Sequence, residues 1–173
     1  MSGKLGAVLK RLFMVALVAV MVLSIVYSIQ FYRVTDNVQR RFVLNSQGAY
    51  AQLSNAIRMV EAGSLHSAVW YLTDARTYAF SNHQVLSESG IFSGVWFFKP
   101  VSHEAIILTD DTIQAVDSAM TGFYNGSGEL NPGDMARIEQ IREKYKAFLD
   151  YIDISSEPSY FTLRRKLRDY ASP

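Results

Sequence analysis

Residues 12–29 read LFMVALVAVMVLSIVYSI, eighteen consecutive positions with no charge, proline or glycine. As a helix the run is about 27 Å long at 1.5 Å per residue, close to the roughly 30 Å of bilayer hydrocarbon. A helix satisfies its own backbone hydrogen bonds, as hydrocarbon requires. Lys4, Lys10 and Arg11 precede the run, and Tyr27, Phe31, Tyr32 and Arg33 mark its far end like an interfacial belt. A core helix of this length would carry a polar stripe, and this run shows none. The pattern predicts a membrane anchor over residues 12–32 after a basic cytoplasmic tail over 1–11. The rival is a cleaved signal peptide ending near Val26-Tyr27-Ser28, which would leave a secreted helical protein. The run is longer than a signal core and no Ala-x-Ala site follows it, which favours a retained anchor.

Beyond Arg33 the pattern turns amphipathic. Val34, Val38, Phe42, Ala49, Leu53, Ile57 and Val60 recur at helical spacings, with Asp36, Arg40, Gln47, Gln52 and Arg58 on other faces. Gly63 supplies a stop and Ser64 a cap. A second helix is expected over residues 65–80, with Leu65, Ala68, Leu72, Ala75 and Ala79 inward, Val69, Trp70 and Tyr78 flanking them, and Asn82 at its end. Residues 81–100 begin turn-like and continue as IFSGVWFF. A lone strand has no partner, so a loop or short helix packed on the bundle is expected there.

Pro100 and Ser102 introduce a third helix over residues 103–124, with Ile106, Ile113, Val116, Met120 and Phe123 inward. Asn131 followed by Pro132 starts a fourth, running to residue 152 with Met135, Ile138, Ile141, Tyr145, Phe148 and Ile152 inward. After a break at Ser155, Ser156 and Pro158, residues 159–171 predict a short basic helix with Leu163, Leu167 and Tyr170 on one side. The expected fold class is all-α. A single amino-terminal transmembrane helix precedes an antiparallel bundle of about four helices over residues 33–153 and a basic amphipathic carboxy-terminal helix over 154–173.

The charge distribution bears on partners. Residues 34–153 hold fourteen acids against nine bases, and residues 154–173 hold four bases against two acids. With a net charge of +1, no global field draws the chain to nucleic acid. The absence of cysteine excludes disulfides, thiolate metal sites and cysteine nucleophiles. Three bases precede the anchor and Arg33, Arg40 and Arg41 follow it, so the positive-inside count is nearly a tie. The free amino terminus adds a charge to the first group, which favours a cytoplasmic amino terminus and a domain outside the cytoplasm.

Gln52-Leu53 and the run from Leu65 to Ala75 (LHSAVWYLTDA), set after an anchor, resemble the amino-terminal region of a spore-germination membrane protein family. The resemblance covers residues 52–79 and the general plan, and implies partnership with a cortex-lytic enzyme. The chain stops before the large carboxy-terminal region of that family, and no functional motif is shared.

Candidate chemistry is sparse. His66, His83 and His103 lack the close spacing of helical metal ligands, and where His103-Glu104 would need a second histidine the chain has Ile107. Asp110, Asp111 and Asp117 read as a solvated face, and residues 125–134 as a helix connector without the alternating acids of a calcium loop. Neither a cofactor nor a catalytic set is expected. Trp70 and Tyr71 read as core aromatics, whereas Trp96, Phe97 and Phe98 are three consecutive bulky side chains that cannot all face one core. They form the expected partner interface. Arg164, Arg165, Lys166 and Arg168 form the one basic cluster, suited to a lipid surface or a partner. The sequence thus points to a membrane-anchored, non-enzymatic protein whose domain binds an envelope protein, with no oligomeric state fixed. The alternative is a ligand-sensing helical ectodomain that signals through a partner.

Overall fold

The computed structural model describes residues 2–90, 101–126 and 128–171, with side chains from Lys10 onward except at 87–90. Among them the chain is all-α: α1 (Ser2–Glu61), α2 (Leu65–Gly90), α3 (His103–Asn125), α4 (Pro132–Ile152), a 3-10 turn (Ile154–Ser156) and α5 (Tyr160–Asp169). The chain divides into two compact units, Met1–Asp36 and Asn37–Pro173.

The helix ends follow from local chemistry. At the end of α1, Ser64 N–H donates to Met59 O at 2.8 Å and Gly63 N–H to Val60 O at 2.9 Å, with Gly63 at φ +72°. This nested pair closes the helix, and glycine takes the left-handed backbone without a Cβ penalty. Ser64 then opens α2 by accepting from Ala68 N–H at 3.0 Å. Ser102 caps α3 through Ala105 N–H at 3.2 Å, and Asn131 caps α4 through Gly133 N–H at 2.8 Å, with Pro132 at the first helical position. Asp153 ends α4 in the left-handed region at φ 49°, its N–H donating to Leu149 O at 2.9 Å. Ser155 donates to its carboxylate at 2.7 Å, and hydrogen bonds from Ser155 and Ser156 hold that carboxyl below its usual range.

Cross-helix pairs in the second unit give the topology. From α1 to α2, Gly48 lies against Tyr78 and Ser46 against Asn82. From α2 to α3, Thr73 meets Met120, Arg76 meets Asp117 and His83 meets Asp110. Each step forward along α2 is matched by an equal step back along α3, so the pair is antiparallel with one fixed register. Thr112 with Tyr145 and Ser118 with Asp134 set α3 against α4 in the same sense. The expected antiparallel bundle is therefore present. α5 completes it: Leu163 and Leu167 are fully buried, and Leu167 O accepts from Ser102 N–H at 2.8 Å.

Three expectations are corrected. α2 does not stop near residue 80 but runs to Gly90, because Asn82 is buried on its inner face rather than ending it. On α3 the buried face is Ala105, Leu108, Thr109, Thr112, Ala115, Val116 and Ala119, while the large residues Ile106, Met120 and Phe123 pack at its flanks. A helix lodged between two neighbours comes closest to them through small side chains, and distances between helix axes follow side-chain size. Trp70, expected in the core, is 68% exposed.

Candidate functional site

In the first unit, the apolar residues of the 12–29 run are exposed on every face of α1, from Leu17 at 44% to Val15 at 68%. The helix is long and apolar enough to cross a membrane. Ser28 Oγ, within this run, donates to Ser24 O at 2.8 Å, so that hydroxyl demands nothing of its surroundings. Tyr27 and Phe31 stack at 6.4 Å at the end of the run.

In the second unit, Trp96, Phe97 and Phe98 lie outside the described residues. The basic cluster lies on α5. Lys166 Nζ donates to Ile152 O at 2.9 Å and so closes the end of α4, while Arg168 pairs with Asp169 at 2.8 Å. Arg165 is exposed and Arg164 half-buried. The hydrogen bond from Arg168 holds the Asp169 carboxyl below its usual range, and Arg165 adds a weaker pull.

The three aspartates of α3 pair with neighbouring helices rather than with each other. Asp117 accepts from Arg76 at 2.5 Å, Asp110 lies 3.3 Å from His83, and Asp111 faces Arg137 at 3.8 Å and Lys144 at 3.5 Å. Asp110 and Asp117 thus mark the α2–α3 seam and Asp111 the α3–α4 seam. Among the described residues, no three His, Asp or Glu side chains gather as metal ligands would. Asp134, expected in the 125–134 connector, lies in the first turn of α4 and accepts from Ser118 at 2.9 Å.

A small cavity of about 120 Å³ is lined by Glu104, Ile107, Leu108, Asp111, Lys144 and Tyr170. Pockets for metabolite-sized ligands usually run from about 300 Å³ upward. This one suits only a few atoms. Tyr145 lies beneath the same seam, fully buried, with its hydroxyl 3.1 Å from Thr112 Oγ1. Burial pushes its pKa up to about 12, against the opposing pull of Thr112 and Thr109. It is a neutral packing group at ordinary pH.

The surface that the sequence reading missed is the outward side of α2. His66, Trp70, Thr73, Thr77, Phe80 and Gln84 are exposed there at spacings of three and four, and none is an acid, lysine or arginine. Trp70 is 68% and Phe80 48% exposed. A second periodicity on α2, offset from its alanine-rich inner face, is the sequence signal that could have found it. No protein-family model matches the chain, and neither a curated protein nor a solved structure matches it.

Proposed function

We propose that this chain is a single-span membrane protein whose helical domain binds another envelope protein as a non-catalytic scaffold, stabiliser or regulatory subunit. The observation that carries the reading is the outer face of α2 from His66 to Gln84, which holds no acid, lysine or arginine and where Trp70 stays 68% exposed. Tryptophan is strongly enriched at binding hot spots, and a helix face with bulky residues at such spacings suits a partner helix. The apolar surface of residues 12–29 far exceeds the few hundred Å² that soluble proteins commonly leave open. Lipid is the natural solvent for it. We assign the side of Lys4, Lys10 and Arg11 to the cytoplasm and the domain to the outside, because bases flank the span there and a long domain translocates largely regardless of its own charge. Trp96, Phe97 and Phe98 are proposed as a further part of the contact surface.

The test is site-specific photocrosslinking of the full chain in its own membrane, with the reactive group at Thr73, at Thr77 or, as a control, at Glu139 on α4. A discrete adduct from α2 but not from α4 is expected. It should disappear in Trp70→Ala/Phe80→Ala and weaken in Trp96→Ala/Phe97→Ala/Phe98→Ala, with helicity kept. Absence of an adduct from both α2 positions overturns the interface.

A further inference from the structure

α5 turns one side to the bundle and the other to solvent. Tyr160, Leu163 and Leu167 are buried, whereas Phe161, Arg165 and Arg168 recur at spacings of four and three on the opposite side and are exposed. Phe161 is 73% exposed, and its only described ring contact is with its neighbour Tyr160 at 5.2 Å. The core therefore makes little use of this ring. The acids nearby include Asp169, already engaged by Arg168, Asp153, which interacts with Lys166, and Glu157.

The position of α5 within the second unit is equally informative. Phe42, near the start of that unit, meets Phe148 of α4 at 6.1 Å, and Phe148 meets Tyr170 at 5.0 Å. α5 thus lies at the end of the bundle where the chain enters it. Eight peptide links separate Ile29 from Asn37, and a chain cannot reach more than about 3.5 Å per residue. Covalent connection alone keeps the entry point within about 28 Å of the last apolar turn.

We infer that Phe161, Arg165 and Arg168 form a face that docks on anionic lipid headgroups, with the phenyl ring entering the interface. The inference rests on the anchor proposed above. A single basic side chain is attracted to an anionic surface by enough to change occupancy roughly fivefold, and Asp169 reduces the share of Arg168. Tethering raises the local concentration of the face at the bilayer, so that two or three such contacts suffice without high intrinsic affinity. Amphipathic surface helices combine basic and aromatic side chains at the interface, and on α5 one ring and two guanidinium groups share the exposed side.

The chain has no cysteine, so Phe161→Cys carries a single label, and an aromatic, polarity-sensitive dye stands in for the ring. Glu129→Cys, in the α3–α4 connector, is the control. The full-length protein is reconstituted into phosphatidylcholine vesicles, with or without about a third phosphatidylglycerol. Quenching is measured with acrylamide, which is uncharged and unaffected by surface potential. At residue 161, anionic lipid should reduce quencher access at least about fivefold, and Arg165→Gln should restore roughly fivefold, with Arg168→Gln restoring less because Asp169 shares that charge. Salt at about 1 M, where the screening length is about 3 Å, should abolish the difference. Residue 129 should not respond. A chain that floats with both vesicle types but whose label at 161 stays equally open in each overturns the lipid-facing assignment alone. A chain that floats with neither overturns the anchor, and the docking face with it.

Discussion

The Asn82 side chain of α2 donates to Ser46 Oγ of α1 at 3.1 Å, and both residues are fully buried. Ser46 in turn donates to Phe42 O at 2.8 Å, leaving Asn82 Oδ1 without a partner among the described residues. A buried polar contact between two helices fixes where one lies along the other, because any slip strands both groups. Ser46→Ala should destabilise the bundle by about 1–3 kcal/mol, the usual cost of stranding a buried amide. Ser46→Ala combined with Asn82→Leu should recover most of that loss. Chemical unfolding in detergent, followed by circular dichroism, measures both. A double variant no more stable than Ser46→Ala would show that the contact does not hold the register.

Gly48 permits the same two helices to approach. A Cβ there would lie 2.6 Å from Tyr78 Cε1, closer than atoms tolerate. Alanine is otherwise favoured in a helix interior by about 1 kcal/mol over glycine, whereas overpacking costs about 1–3 kcal/mol. Gly48→Ala should therefore destabilise the protein while Tyr78 is present and stabilise it in a Tyr78→Ala background. The change of sign is the diagnostic, and additive effects would remove the steric explanation.

Much of the fold was legible because its signals are local. Ser102, Asn131-Pro132 and Gly63-Ser64 mark helix ends through chemistry within a few residues, and the structure places those ends as expected. Asn82 misled because its low helix propensity argues for a terminus, and only Ser46, thirty-six positions earlier, shows why it is tolerated within the helix. The inner face of α3 was similarly hidden: large apolar residues dominate a periodicity reading, while Ala105, Ala115 and Ala119 do the close packing. Trp70 was read as core by its type. Exposure is a property of the whole bundle, and one aromatic residue among alanines and threonines does not declare its side.

Alkaline pH offers a test of the α3–α4 seam. Tyr145 is raised to about 12 in the folded protein, so in the unfolded chain it loses its proton first, near its ordinary value of 10. The folded state then binds more protons than the unfolded one. Its contribution is fully present below about pH 10 and declines as pH rises toward 12, by at most about 1.4 kcal/mol per pH unit. Tyr145→Phe should remove that part of the slope, seen as the difference between the two proteins in unfolding midpoint across this window. Parallel profiles would place the hydroxyl in water.

The surface pair Arg76–Asp117 should matter little despite its short distance. Both side chains are nearly half exposed, and exposed ion pairs contribute about 0–1 kcal/mol. Arg76→Gln should leave the unfolding midpoint almost unchanged, and the small effect should vanish in high salt. A loss above about 2 kcal/mol would mean that the α2–α3 seam depends on charge rather than on its buried alanines.

The anchor can be tested by charge. Placing arginines at Val18 and Val22 should cost insertion about 5–7 kcal/mol at mid-bilayer, enough to offset much of the apolar gain of the run. Alkaline carbonate should then extract the variant but not the parent protein. Retention of both in the pellet would remove residues 12–29 as the source of membrane attachment.

Leu167 O bonds to Ser102 N–H, so the start of α3 is secured by a residue made sixty-five positions later. During translation the apolar run leaves the ribosome first, and the helices near the entry of the bundle wait for α5 before their common end can close. A chain without α5 and Tyr170 would leave Phe148 without its ring partner and Ser102 N–H without its acceptor, opening that end of the bundle to chaperones and proteases. Completion of the last helix therefore sets the moment at which the domain becomes resistant to them.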